Sequence, residues 1–242
     1  MALTDNREHF PLEPSNSLSP IKFVSADGSP ASGSKQGRVL KAQGSRHVQE
    51  LCKRTIDLIV SFIGLSVLTP VFILIALLIK LDSKGPVFFK QRRVGKDGRL
   101  FFIWKFRTMT ALDDGDIIVQ AQRCDPRVTS VGRYLRKFNI DELPQLVNVL
   151  RGEMSLVGPR PHAVAHDVEF AKRNKLYSRR MRVKPGITGW AQVNGFRGQI
   201  TTEDALGKRV EHDLYYVEHQ SLWFDSYILL LTTLPRAFRN AC

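Results

Sequence analysis

LIVSFIGLSVLTPVFILIALLI, from Leu58 to Ile79, runs 22 residues without a charged side chain, and its reading decides the fold. Wound as a helix it measures roughly 33 Å, about the thickness of a bilayer's hydrocarbon core. Pro70 falls just past the middle, where its ring removes a backbone donor and crowds the carbonyl of Ser66. A helix broken there has two halves, each too short to span. Lys53 and Arg54 precede the run, and Lys80, Lys84, Lys90, Arg92 and Arg93 follow it, so both flanks are cationic. Flanks of one sign favour one side of the membrane for both ends. The pattern therefore predicts a re-entrant helix-break-helix over residues 47–84, with Ser66 and Thr69 satisfying carbonyls that Pro70 leaves unpaired. A kinked segment that crosses the membrane fits the same residues.

Working outward, 242 residues with 43% hydrophobic content can build one medium domain with extensions. A net charge of +13 implies an anionic partner, either nucleic acid or the acidic face of a membrane. With an apolar anchor present, anionic lipid is the better match. A membrane-anchored, basic nucleic-acid-binding or scaffold protein is the alternative, although no helix-turn-helix, zinc-finger or RNA-binding signature supports it. Cys52, Cys124 and Cys242 are odd in number and far apart, which fits a reducing compartment rather than a disulfide framework. Residues 1–46, rich in Ser, Gly, Pro and Lys, read as a disordered basic extension, and residues 1–50 lack the apolar core of a secretory signal.

Downstream, GPVFFKQRRVGKDGRLFFIWKF (85–106) reads as two β-rich runs joined at Gly95-Lys96-Asp97-Gly98. Lys105 and Arg107 interleave there with Trp104 and Phe106. Residues 110–130 form an acidic, irregular loop. From Arg133 the pattern turns helical until Gly152, with Asp141 standing as an N-cap and Glu142 and Pro144 in the first turn. Val168–Met181 and Ala205–Val217 read as further helices. Leu222–Leu234 is apolar but too short to span, so it suits the membrane interface.

Asp141 and Glu142 are the pair most able to do chemistry. A carboxylate at a helix N-terminus is kept ionised by free backbone N–H groups, and an ionised carboxylate can attack phosphorus while a neighbour holds Mg²⁺. The same two residues also suit a plain helix cap. Arg160, clamped between Pro159 and Pro161, suits bidentate recognition of phosphate. His162 and His166 stand four apart without a matching third ligand, so no zinc site is expected. KPGITGWAQVNGFRG (184–198) gathers glycines around Trp190, Gln192, Asn194 and Arg197, a composition that lets backbone and amides approach a ligand.

Taken together, the Pro-broken apolar helix, KFRTM, DELPQLVNVLRGEMSLVGPRP and KPGITGWAQVNG, in this order, resemble the monotopic phosphoglycosyl transferases, bacterial sugar transferases acting on undecaprenyl phosphate. The resemblance covers about residues 50–242. It implies a mainly α fold with a small β-hairpin: a re-entrant membrane helix and interfacial amphipathic helices around a cytoplasmic catalytic domain (85–242) on the bacterial inner membrane. It implies Asp141 as nucleophile and Glu142 as its Mg²⁺-associated partner, with Lys105, Arg107, Arg160 and Gln192 around the phosphates and nucleotide. The implied reaction moves a sugar-1-phosphate from a UDP-sugar to undecaprenyl phosphate, releasing UMP through a phosphosugar-aspartyl intermediate, to begin exopolysaccharide, capsule or O-antigen synthesis. PRPHAVAHD (159–167) resembles the glucose-1-phosphate transferases of the family, favouring UDP-glucose over UDP-galactose. Anionic inner-membrane lipids are expected partners, nucleic acid is not, and a homo-oligomer stays open. Many of those relatives carry a bundle of membrane helices where this chain has the polar residues 1–50.

Overall fold

The computed structural model describes residues 36–110 and 125–234; for residues 36–46 it describes only the course of the helix. Of the extension expected to be disordered, residues 1–46, the first 35 lie outside these residues, as does most of the acidic loop, while 36–46 are helical. The elements run α1 (Gln36–Asp82), β1 (Phe88–Val94), β2 (Leu100–Phe106), α2 (Ser130–Lys137), a 3-10 turn (Ile140–Gln145), α3 (Leu146–Arg151), β3 (Ser155–Val157) and α4 (Val164–Arg173). A second 3-10 turn (Tyr177–Arg182) then leads to β4 (Gly186–Thr188), α5 (Trp190–Val193), α6 (Glu203–His219) and α7 (Leu222–Thr232). The chain is mainly helical with little sheet.

α1 is one helix of 47 residues that continues through Pro70, which corrects the expected break. Proline forfeits one intrahelical bond, and the surrounding turns keep theirs. The Thr69 hydroxyl bonds the Leu65 carbonyl at 2.8 Å, so it does not serve the Ser66 carbonyl that Pro70 orphans. The segment His47–Asp82 is long and apolar enough to cross a membrane. The helix also begins upstream of the boundary expected at residue 46.

One face of α1 is a wall of the globular body. Asp57, Ser61, Ile75 and Ile79 are buried, and Leu65, Leu68 and Phe72 pack between them at helical spacing. At its upstream part Lys53 pairs with Asp225 of α7 at 2.6 Å and Arg54 caps the end of α3 through the carbonyls of Val149 and Leu150. The buried Asp57 carboxylate accepts the backbone N–H of Leu156 at 3.0 Å. The other faces, including Phe62, Val67, Ile73 and Leu77, are exposed. Such a continuous apolar surface marks a docking face for lipid or protein.

At the downstream end Arg107 folds back on α1. Its guanidinium donates to the carbonyls of Lys84 and Ser83 at 2.8 and 2.7 Å, meeting carbonyls that a helix C-terminus leaves free. Gly85 makes room for it: its φ is +126°, and a Cβ there would stand 2.0 Å from Arg107 Nη1. Gly85→Ala should therefore lower stability by about 1–3 kcal/mol, from the strained backbone and the displaced guanidinium together. Thermal unfolding checks it, and an unchanged Tm would remove Arg107 as a fastening.

β1 and β2 form the expected antiparallel hairpin, Phe88 opposite Phe106 through Val94 opposite Leu100, turned by Asp97 and Gly98 in left-handed conformations. A second sheet was not foreseen. β3 pairs in parallel with β4, Ser155 opposite Gly186 and Val157 opposite Thr188, and three-residue strands are too short for a period to reveal. Gly186 permits the close approach, since a Cβ would fall 2.1 Å from the nitrogen of Gly158. The helix expected over Val168–Met181 begins and ends earlier, at Val164 and Arg173, and a turn and the second 3-10 segment replace its last part.

Candidate active site

The parallel β3–β4 pair sets two loops side by side: Gly158-Pro159-Arg160-Pro161, leaving β3, and the stretch around α5 that follows β4. Gly158 N–H bonds the Thr188 carbonyl at 2.9 Å and Gly186 N–H bonds the Pro159 carbonyl at 3.0 Å. The 3-10 turn carrying Asp141 and Glu142 faces both loops and the end of β2.

Asn139 opens that turn in the left-handed conformation with φ 56°, which an Asn tolerates better than most residues. Asp141 therefore sits inside the first turn rather than capping a helix, which corrects that expectation. Pro144 lies inside the turn, one residue before its end at Gln145. Adjacent residues on a 3-10 turn point about 120° apart, and the two carboxylates meet different surroundings accordingly.

Glu142 is buried and gripped by three cations. Lys105 Nζ reaches Oε1 at 2.8 Å, Arg160 reaches Oε2 and Oε1 at 2.9 and 2.5 Å, and Arg197 Nη2 reaches Oε2 at 3.1 Å. Arg160 thus makes the two-pronged contact its guanidinium is shaped for. Burial pushes the Glu142 carboxyl up, but Arg160, Lys105 and Arg197 outweigh it and hold the group well below the usual range. Burial in turn pushes the Lys105 ammonium down.

Asp141 is half-buried, and among the described residues no hydrogen bond reaches its carboxylate. Burial, then the negative charge of Glu142, push it up to about 6, with Lys105, Arg136 and Arg160 pulling the other way. A carboxylate that is partly desolvated, unpaired and ringed by cations suits attack on an anionic phosphate ester. Two carboxylates against Lys105, Arg160 and Arg197 leave the site one positive charge in excess, a surplus that favours anionic ligands.

The residues expected here divide. Asp141, Glu142, Lys105 and Arg160 come together. Arg107 is spent on the end of α1, and Gln192 lies buried behind the site with its amide nitrogen on the Ile187 carbonyl at 3.1 Å. The Gln192 amide oxygen is buried without a partner among the described residues. Arg197, which the sequence placed in the glycine-rich ligand-approaching stretch but not among the phosphate-binding residues, joins them on Glu142. Arg136 of α2 was missed, and no local pattern marks it.

Magnesium was expected on Glu142. Both oxygens of that carboxylate are already taken by cationic donors, and among the described residues no three of His, Cys, Asp or Glu gather. The residues present do not fit a resident metal on Glu142, because an ion there would have to displace an ammonium or a guanidinium.

A model of the family described as "bacterial sugar transferase" matches residues 48–239, most of the chain. An undecaprenyl-phosphate glucose phosphotransferase of Komagataeibacter xylinus is 52% identical over 194 residues, 78% of this chain and 36% of that protein. A UDP-glucose:undecaprenyl-phosphate glucose-1-phosphate transferase of Escherichia coli K12 is 49% identical over 185 residues, 76% of this chain and 40% of that protein. One of the same description from Caulobacter vibrioides is 49% identical over 183 residues, 76% of this chain and 68% of that protein. The chain thus spans about two fifths of the first two of these relatives and two thirds of the third.

Proposed function

The chain belongs to the bacterial sugar transferase family, and from that premise we propose that it moves a sugar-1-phosphate from a UDP-sugar to undecaprenyl phosphate, releasing UMP. The observation that carries this reading is the contrast between neighbours: Glu142 saturated by Lys105, Arg160 and Arg197, and the Asp141 carboxylate without a hydrogen bond among the described residues. In the first step an Asp141 oxygen bonds the phosphorus that bears the sugar, and the bond from that phosphorus to the bridging oxygen breaks, so UMP leaves with the electron pair. In the second, an oxygen of the lipid phosphate attacks the same phosphorus and Asp141 leaves as carboxylate. Lys105, Arg160 and Arg197 lie where they can offset phosphate charge in both steps. Mg²⁺ belongs to this reading as a cation carried in on the donor's diphosphate, where it would neutralise charge on the leaving group.

Glucose is the proposed sugar, supported by the names of the relatives and by PRPHAVAHD at residues 159–167; galactose is the second choice. The test is UMP release from a panel of UDP-sugars by the purified full chain in vesicles containing undecaprenyl phosphate. Release of UDP would mean transfer of a sugar without its phosphate. Salt-sensitive DNA binding with no UMP would favour the scaffold reading instead.

Attachment from one face of the inner membrane, with the catalytic body in the cytoplasm, is part of the proposal. It is supported by α1, whose apolar stretch is fastened to the same body on both flanks, at Lys53 upstream and at Lys84 just past its end. Exposed Trp223, Tyr227 and Leu230 on α7 and Tyr134 and Phe138 by α2 suit an interfacial position. Tags at residues 1 and 242 are expected on the same side of the membrane; opposite sides would replace this topology with a crossing one.

The titration of Asp141 gives a pH signature. Protonation below about pH 6 removes the nucleophile, so single-turnover UMP release should fall about tenfold per unit on the acid side. A flat profile down to pH 4 would separate the reactive group from Asp141.

A further inference from the structure

Behind the site lies a buried polar cluster that the reaction as written does not use. Asp167, Tyr177, Arg180, Arg209 and Asp213 are buried, and His162 stands between the two arginines. Arg180 pairs with Asp213 at 2.8 Å, and its Nη2 donates to the main-chain carbonyl of Arg160 at 2.6 Å. Arg209 Nη2 donates at the same distance, 2.6 Å, to the carbonyl of Gly198, the residue after Arg197. The cluster therefore holds the backbone at both arginines that grip Glu142.

His162 joins the two holds. Arg209 Nη1 lies 3.2 Å from its Nε2 and Arg180 Nη1 lies 3.1 Å from its Nδ1; a guanidinium can only donate, and of the two only Arg180 Nη1 has a second acceptor among the described residues, so the lone pair belongs on Nε2. The proton then sits on Nδ1, which donates to Tyr177 Oη at 2.7 Å, and the Tyr177 hydroxyl donates in turn to Asp167. Arg180 Nη1 finds its acceptor in the same Tyr177 oxygen at 3.1 Å. Among the described residues each donor along this path has an acceptor with the proton on Nδ1, whereas a proton on Nε2 would face Arg209 Nη1. Arg93 and Arg160 act on the ring besides Arg180 and Arg209, while burial pushes Asp167, one of the two carboxyls facing them, up to about 7; a protonated ring would add a further cation to this group. Burial, with Arg180 and Arg209 adding to it, pushes His162 well below its usual range, in agreement.

We propose that His162, Arg180 and Arg209 are a positioning unit that fixes the spacing of Arg160 and Arg197 on Glu142, and so the cationic frame around Asp141, with His162 held as the neutral Nδ1–H tautomer. The kinetic part rests on the transferase reading given above; the tautomer does not.

Two measurements test it. Nitrogen NMR of the full chain in lipid nanodiscs, with His162 assigned by its loss in His162→Gln, should give a protonated Nδ1 and a bare Nε2 at neutral pH. An Nε2–H ring or an imidazolium would overturn the proposal without reference to activity. In Arg180→Lys and His162→Gln, kcat for UMP release should fall about 100-fold, the cost of a misplacement near 1 Å, while KM for UDP-glucose changes little. The acid limb of kcat should also move to higher pH, because Arg160 is one of the cations that hold Asp141 down. A folded variant with wild-type kcat, or a loss that only follows the unfolded fraction with the acid limb unmoved, would refute it. If the wild-type protein releases no UMP from any UDP-sugar, the transferase reading fails by itself and the tautomer decides the network.

Discussion

Asp141→Asn should abolish UMP release by at least about 10⁴-fold and remove all covalent labelling by a phosphate-labelled UDP-sugar, the size of loss expected when a nucleophile that acts as part of a unit is deleted. The substitution is nearly isosteric. It removes one negative charge beside Glu142, so the buried ion cluster loses a repulsion rather than a partner, and the protein should fold at least as well as the wild type. Activity and stability therefore part company, and that divergence is the diagnostic. Labelling at Asp141 is read by mass spectrometry of the protein quenched without lipid acceptor. Turnover that persists in the variant, or a label mapped to Glu142, would remove Asp141 from the role.

Glu142→Gln should act in the opposite way. Lys105, Arg160 and Arg197 share this one buried anion, and taking the charge away leaves three cations facing each other in a site with little water. Breaking a buried ionic cluster on one side costs about 3–5 kcal/mol, which for a domain of this size lowers Tm by about 10 °C. An anion should restore part of it. In phosphate-free buffer the variant should be markedly less stable, and added inorganic phosphate should raise its Tm more than it raises that of the wild type, because the vacated cations then have a ligand. Equal stability of the two proteins without phosphate would mean that the cluster contributes nothing net to folding.

These two residues also mark how far the sequence could be read. Adjacent carboxylates before a helix, an arginine between prolines and a lysine on a strand were all legible, since each is a local pattern with a chemical reason. Arg107 lies apart from the other expected residues for a physical cause: its neighbours Lys105 and Phe106 alternate as on a strand, yet the chain leaves β2 at Phe106, and the side chain turns to the carbonyls ending α1. Arg136 comes to the site through tertiary contacts, and nothing within a few residues of it announces that, whereas Arg197 stands in the glycine-rich stretch, which signals a ligand loop but not the carboxylate that Arg197 meets. The hairpin was visible in its Gly95–Gly98 turn, whereas β3 and β4 owe their pairing to glycines at close approach, a feature of two segments considered together. Pro70 misled in the other direction, because the loss of one bond in a long helix packed along one face is a local perturbation and not an interruption.

The packing of α1 has a practical consequence for anyone who would divide or recombine this protein. Its apolar stretch supplies Ile75 and Ile79 to the same interior as Phe106 and Leu135, while Leu65 and Leu68 pack against the interior around Val149 and Met154. Cutting before the hairpin to obtain a soluble fragment would strip away one side of both interiors, and grafting an unrelated hydrophobic anchor would leave Asp225 and the last turn of α3 without Lys53 and Arg54. The anchor and the catalytic body must therefore be exchanged between relatives as one piece.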